Sequence, residues 1–86
     1  MTRHFASPVK RSVTIAGHET SVTLEPLFWD ALAGLAREQG VPLSALVARI
    51  DADRLDEPAP PNLSSALRTH ILRTLLNKLD GESDSQ

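Results

Sequence analysis

The sequence predicts a mostly α-helical domain that begins with a short β-ribbon. Apolar and polar residues alternate between positions 11 and 24, and this period of two is typical of strands. From position 26 onward the apolar residues recur at intervals of three and four, as they do on one face of a helix. With 86 residues the chain has room for one domain at most.

Length and composition make association with a partner the expected source of stability. A chain of this size buries only about 60 to 65% of its unfolded surface. The sequence contains no cysteine, so neither disulfides nor thiolate metal sites are available, and the cytoplasm is the expected compartment. The apolar runs are too short for a membrane span or a signal peptide, and we predict no membrane partner.

Charge is distributed unevenly along the chain. Nine basic and eleven acidic residues give a net charge of −2 at pH 7, which by itself argues against a nucleic-acid partner. Residues 1–10 carry basic but no acidic side chains, lack periodicity, and are predicted to form a flexible basic arm. Acidic residues are concentrated at 51–57 and at 80–86, and we predict that 80–86 form a disordered tail.

The ribbon is predicted to be a hairpin within residues 11–24. A type II′ turn at Gly17-His18, with glycine in the first position, would pair Ile15 with Thr20 and Val13 with Val22. Alternation then separates an apolar face from a face of hydroxyl side chains. The apolar face holds Val13, Ile15, Thr20, Val22 and Leu24, and the hydroxyl face holds Ser12, Thr14, Ser21 and Thr23.

Two helices are predicted to follow the hairpin and to complete a core of residues 11–54. Pro26 suits the first turn of a helix that runs to about Gln39, where Gly40 can end it in a left-handed conformation. Pro42 is predicted to open the second helix, which ends near residue 54. Their apolar stripes are Phe28, Ala31, Leu32 and Leu35 in the first helix and Leu43, Leu46, Val47 and Ile50 in the second.

The remaining chain is predicted to add a connector and a third helix. Residues 55–61 contain three prolines, which should make them a stiff connector. Asn62 is a suitable N-cap for a helix over 62–79, whose apolar positions cover a broad face. This helix could cap a dimer core, join dimers into larger assemblies, or bind a partner protein.

The predicted elements call for a second copy of the chain. Two short helices cannot cover their own apolar stripes, whereas two copies can pair their strands and interleave their helices. We therefore predict an intertwined homodimer in which folding and dimerisation are inseparable. Its core is predicted to contain Val22, Leu24, Phe28, Leu32, Leu35, Leu46, Val47 and Ile50.

The order of a strand, a helix, a tight turn with glycine and a second helix resembles the ribbon-helix-helix fold, the MetJ and Arc class of bacterial DNA-binding proteins. The motifs that carry the resemblance are "TSVTLEP" and "EQGVPLSALV", and it covers about residues 19–54. With its preceding strand and third helix, the chain resembles a subfamily of small bacterial proteins. The resemblance implies a ribbon that enters the major groove, with Glu19, Ser21 and Thr23 facing the base edges.

The predicted nucleic-acid interface combines base and phosphate contacts. The basic pair at positions 10 and 11 could clamp phosphates, and amides at the start of the second helix could bind another, as the resemblance implies. Hydroxyl groups hydrogen-bond to any base, so sequence discrimination by the strand alone should be weak. The alternative interpretation is an ordinary solvent-facing β surface. The predicted DNA-binding residues are Lys10, Arg11, Ser12, Thr14, Glu19, Ser21, Thr23, Leu43 and Ser44.

A hairpin in each chain of a dimer raises the question of how the ribbon fits DNA. Two paired hairpins would place their outer strands roughly 14 Å apart, whereas the major groove is about 12 Å wide. Three solutions stay open at this point. The outer strands peel away, the first strand folds on DNA as an arm, or this protein does not use the groove in the usual way.

No cofactor, metal ion or small-molecule ligand is predicted. His4, His18 and His70 share no spacing suited to a metal, and the acidic residues within 51–57 do not match a calcium loop. Neither a nucleophile elbow nor a Gly-rich phosphate loop occurs, so we do not expect an enzyme. Trp29 is predicted to pack against the third helix or a partner subunit rather than to stack on a ligand.

Three functions compete on these observations. The first is a DNA-binding transcriptional regulator, with its ribbon in the major groove and its basic arm on phosphates. The second is an oligomerisation or protein-interaction module that keeps the fold without sequence-specific DNA binding. The third is an antitoxin of a toxin-antitoxin pair, which would bind its toxin near the third helix. A homodimer is expected in each, with residues 62–79 as the route to a higher oligomer.

Overall fold

The fold consists of a two-stranded antiparallel ribbon followed by three helices. The structure, a computed structural model, describes residues 6–84. Its elements in chain order are β1 (Val9–Ile15), β2 (His18–Leu24), α1 (Pro26–Gln39), α2 (Leu43–Leu55) and α3 (Leu63–Asp84). This order confirms the predicted mostly α-helical fold with a short β-ribbon and a third C-terminal helix.

The hairpin turns one residue earlier than the sequence predicts. Its central residues are Ala16 and Gly17, with φ angles of 51° and 81°, so that both lie in the left-handed region of a type I′ turn. Ile15 therefore pairs with His18 and Val13 with Thr20, and the predicted turn at Gly17-His18 is wrong. The type I′ geometry matches the twist of the strands. Each strand of the ribbon is seven residues long.

The two faces of the ribbon are nevertheless those predicted. The observed register moves each cross-strand partner by two residues relative to the predicted one, and a strand repeats every two residues. Val13, Ile15, Val22 and Leu24 are accordingly buried against the helices.

The hydrophobic core closes within a single chain. It combines the inner face of the ribbon with residues from all three helices, including Leu67 and Ile71 of α3. Of the side chains predicted for a dimer core, Phe28 is half-buried and packs against this cluster. The other seven are at most 5% exposed in the isolated chain: Val22, Leu24, Leu32, Leu35, Leu46, Val47 and Ile50. Interleaving of two chains stays a prediction.

The helix ends follow the predicted local chemistry. Gly40 ends α1 with a φ of 70°, and its N–H donates to the carbonyl of Arg37 at 3.0 Å. Asn62 caps α3, since its Oδ1 accepts the backbone N–H of Ser65 at 2.8 Å. Pro42 is extended, with ψ at 152°, and occupies the N-cap of α2.

Two predicted boundaries are wrong. The basic arm was expected to reach residue 10, but Val9 already pairs with Leu24 in the ribbon. The acidic tail was expected to begin at 80, but α3 continues to Asp84 because no proline interrupts its hydrogen-bond ladder. Residues 1–5 of the predicted arm and 85–86 of the predicted tail lie outside the described part of the chain.

Side-chain contacts hold the connector and α3 against the rest of the fold. Arg54 donates two hydrogen bonds to Asp51 Oδ1, at 3.0 and 2.8 Å, and a third to the carbonyl of Pro61 at 3.1 Å, across the Pro-rich segment. Near its far end α3 forms an ion pair between Lys78 and Glu38 of α1. The third helix therefore belongs to the body of the fold.

Candidate nucleic-acid interface

The outward face of the hairpin is uniformly polar. Strand alternation brings six exposed side chains to this face, opposite the buried ones. They form three cross-strand pairs: Lys10 with Thr23, Ser12 with Ser21, and Thr14 with Glu19. The face thus presents a cation at the open end of the ribbon, a carboxylate near the turn, and hydroxyl groups between them.

Arg11 does not share this face with Lys10. Its cross-strand partner is Val22, on the side of the ribbon that faces the helices. The guanidinium carbon of Arg11 lies 5.1 Å from the centre of the Trp29 ring, which is the geometry of a cation–π contact. The structure therefore separates the two residues that were predicted to clamp phosphates together, because adjacent residues of a strand point to opposite faces.

Trp29 anchors the beginning of β1. Its indole is 2% exposed, and Nε1 donates a hydrogen bond to the carbonyl of Val9 at 2.9 Å. The ring was predicted to pack against the third helix or a partner subunit, but these contacts are with β1 of its own chain. The sequence signal was its place one step from the Phe28 stripe, which indicates a second packing direction without identifying what lies there.

The start of α2 retains free amides. The carbonyl of Pro42 accepts the N–H groups of Ala45 and Leu46 at 3.0 and 3.2 Å, whereas Leu43 and Ser44 precede the first intrahelical bonds. No side chain caps this end, and the first turn carries no acidic residue. Both residues are half-buried. The phosphate contact predicted at these amides stays a prediction.

The start of α3 lies beside the outer edge of β2. In a two-residue hairpin, hydrogen-bonded and non-bonded pairs alternate from the turn, so the carbonyl of Thr23 points away from β1. This carbonyl accepts the hydroxyl of Ser64 at 2.8 Å. One end of the ribbon edge is therefore covered by the helix.

An ion pair fixes α3 to the junction between the ribbon and α1. Nε and Nη2 of Arg68 donate to the two carboxylate oxygens of Glu25 at 2.9 and 3.0 Å, and the guanidinium carbon lies 5.7 Å from the centre of the Phe28 ring. The hydrogen bonds from Arg68 lower the pKa of Glu25 below its ordinary value. This residue directly follows β2, so the ion pair helps to set the angle of the ribbon.

The described residues also bear on two other kinds of site, a metal centre and a membrane span. Between residues 6 and 84, no three histidine, aspartate or glutamate side chains converge on a common point where a metal ion could bind. His18 lies in the ribbon and His70 in α3, and His4 lies outside the described residues. In the same part of the chain, no helix has both the length and the apolarity to cross a membrane.

Comparison with known proteins gives one family and one related structure. The profile of a family described as the ribbon-helix-helix domain matches residues 8–75, which include β1 and more than half of α3. A similar solved structure is that of an uncharacterised protein from Bordetella pertussis Tohama I, with 35% sequence identity and a TM-score of 0.72. The match covers 87% of this chain but 61% of that one, so the chain spans less than two thirds of that protein's length. Curated proteins yield no match.

Proposed function

The chain belongs to the ribbon-helix-helix domain family, and on this premise we propose that it is a DNA-binding regulator of transcription that acts as a homodimer in the cytoplasm. Proteins of this fold use β-strands to read a DNA groove. The observation that carries the proposal is the exposed polar face of the hairpin, with Lys10 at its open end.

The hairpin of one chain has suitable dimensions for the ribbon that enters the major groove. Two strands about 4.8 Å apart form a ribbon that fits a major groove about 12 Å wide. Because β1 and β2 pair within the chain, each protomer carries its own two-stranded ribbon. A ribbon formed in this way avoids the width of four strands side by side.

Phosphate contacts would add affinity to those of the ribbon. Lys10 lies on the reading face, and the free amides of Leu43 and Ser44 are suited to an anion. Hydroxyl readers such as Ser12 and Ser21 discriminate weakly among bases. We therefore expect binding whose affinity depends strongly on salt and whose preference for one sequence is modest.

The test is fluorescence anisotropy of the full chain with duplex DNA from upstream of its own gene and with a scrambled duplex, each at several salt concentrations. Lys10→Ala should weaken binding to both duplexes by a similar factor. It should also reduce the salt slope by about 1 for each phosphate that the lysine neutralises. Ser12→Ala with Ser21→Ala should instead reduce the difference between the duplexes.

Arg37→Ala is the matched control, because it removes one positive charge from an exposed position in the last turn of α1. It should leave both affinities nearly unchanged. Equal losses of affinity for Lys10→Ala and Arg37→Ala would show that total charge, and not the ribbon face, governs binding. Absence of binding at low salt would contradict the proposal itself.

An oligomerisation module is the second candidate function. The observation in its favour is the run of exposed leucines on the outer side of α3, which the fold of one chain leaves uncovered. The two functions are separable by experiment, because the leucines and the polar face of the ribbon lie on different elements.

A further inference from the structure

The third helix has two apolar faces, and only one of them is used by the chain. The inner face packs on the core through Leu67 and Ile71, with Leu63 and Ala66 beside them. The outer face consists of Leu72, Leu75, Leu76 and Leu79, which are 56%, 41%, 51% and 59% exposed. Their spacing of three, four and seven residues aligns them along one side of the helix for two turns.

The charges that flank this outer face are also divided. Arg73 and Asp80 are seven residues apart and therefore lie on the same flank, two helical turns from each other. Among the described residues neither forms a salt bridge. On the other flank the basic residue Lys78 is already paired within the chain, with Glu38.

We propose that the outer leucine face of α3 binds the same face of a second copy of the chain, with the two helices antiparallel. A two-fold axis between Leu75 and Leu76 would place Leu72 against Leu79 of the partner subunit and Leu75 against Leu76 of the partner subunit. This isologous contact covers all four exposed leucines at once.

Charge complementarity selects the antiparallel orientation. When two antiparallel helices pack, each flank meets the identical flank of the other helix. Arg73 then lies about 3 Å along the helix axis from Asp80 of the partner subunit, at roughly 1.5 Å per residue, and the reciprocal pair forms on the other side of the axis. In a parallel pair these two residues would instead meet the flank of Lys78, which already has a carboxylate partner in Glu38.

The first test measures molecular mass by sedimentation of the full chain over a range of concentrations. Leu76→Glu with Leu79→Glu should halve the mass of the assembly at concentrations where the wild-type chain is associated, while the circular dichroism spectrum stays unchanged because both positions are exposed. Arg73→Glu should weaken association about tenfold, and Arg73→Glu with Asp80→Arg should restore it. Arg37→Glu, on α1, is the matched control and should have no effect.

The second test measures orientation by disulfide formation. The sequence has no cysteine, so introduced thiols have no competitors. Chains with Leu72→Cys should cross-link to chains with Leu79→Cys much faster than either cross-links to itself. Preferential linkage of each variant to itself would indicate a parallel pair and overturn the proposed contact. A mass that the two leucine changes leave unaltered would also overturn it and would leave the face to a different protein. Neither result bears on DNA binding, which is measured separately.

Discussion

Trp29 joins the first strand to the first helix through a single buried side chain. Its indole N–H donates to Val9, and its ring lies under the guanidinium of Arg11. Trp29→Phe keeps the apolar ring but removes the donor and part of the packed surface. We expect the free energy of unfolding to fall by about 1 to 2 kcal/mol. Urea unfolding followed by circular dichroism measures this change. Asp30→Ala, at an exposed neighbouring position, should stay within about 0.5 kcal/mol of wild type.

Glu25 makes stability depend on pH in the acid range. Because Arg68 lowers the pKa of Glu25 in the folded state, the ion pair stabilises the fold at pH values above the ordinary glutamate pKa of 4.5. That contribution should decline as the pH falls below this value and should be lost once the pH passes the lowered folded-state pKa. The test measures the free energy of unfolding of wild type and of Glu25→Gln from pH 7 downward. The advantage of wild type should shrink as the pH falls. A difference in free energy of unfolding that grows in acid would contradict the stabilising role of the ionised Glu25.

At the scale of single elements, the hairpin turn depends on two residues with positive φ. Gly17→Ala should destabilise the protein by about 1 kcal/mol, because an L side chain is strained at φ 81° although space is open around it. Gly34→Ala is the matched control, since it lies inside α1 and a Cβ there meets only Arg37 Nη2 at 3.8 Å. This change should stabilise by about 0.5 to 1 kcal/mol. Thermal unfolding of both variants tests whether Gly17→Ala lowers the stability while Gly34→Ala raises it.

The elements that the sequence predicted well are those set by local chemistry. Alternation identified the faces of the ribbon, and residues with specific capping roles, Gly40 and Asn62, identified helix ends. The position of the turn was missed because Ala16 adopts a left-handed conformation, with φ at 51°, which alanine rarely takes.

The candidate site was only partly predictable, because its arrangement depends on contacts between distant residues. The hydroxyl face followed from period-two spacing. Strand alternation also separates Arg11 from Lys10, whereas the contact of Arg11 with Trp29 depends on the fold, and the bond from Trp29 to Val9 links residues 20 positions apart. The contact from Ser64 to Thr23 spans 41 positions. The spacing of residues within a single strand or helix does not predict contacts between residues so far apart in the sequence.

At the scale of the whole molecule, a core that closes within one chain changes what dimerisation is expected to do. Leu24, Leu32 and Leu46 are fully buried without a partner. We therefore expect a dissociated protomer to keep its fold, in contrast to the prediction from the sequence that folding and dimerisation are inseparable.

Trp29 is the only tryptophan and is buried, so its fluorescence emission reports on the core even at nanomolar concentration. The emission should stay blue-shifted on dilution to concentrations at which sedimentation finds monomers. A red shift that accompanies dissociation would show that folding and association are coupled.

We expect the first turn of α3 also to hinder uncontrolled polymerisation of the protein. An exposed strand edge is a template on which further chains can add, as in amyloid fibrils. The hydroxyl of Ser64 occupies the outward carbonyl of Thr23, so a strand that approaches this end of β2 finds its acceptor already used. The ribbon can thus display a polar face to solvent for recognition while one end of its edge is closed to aggregation.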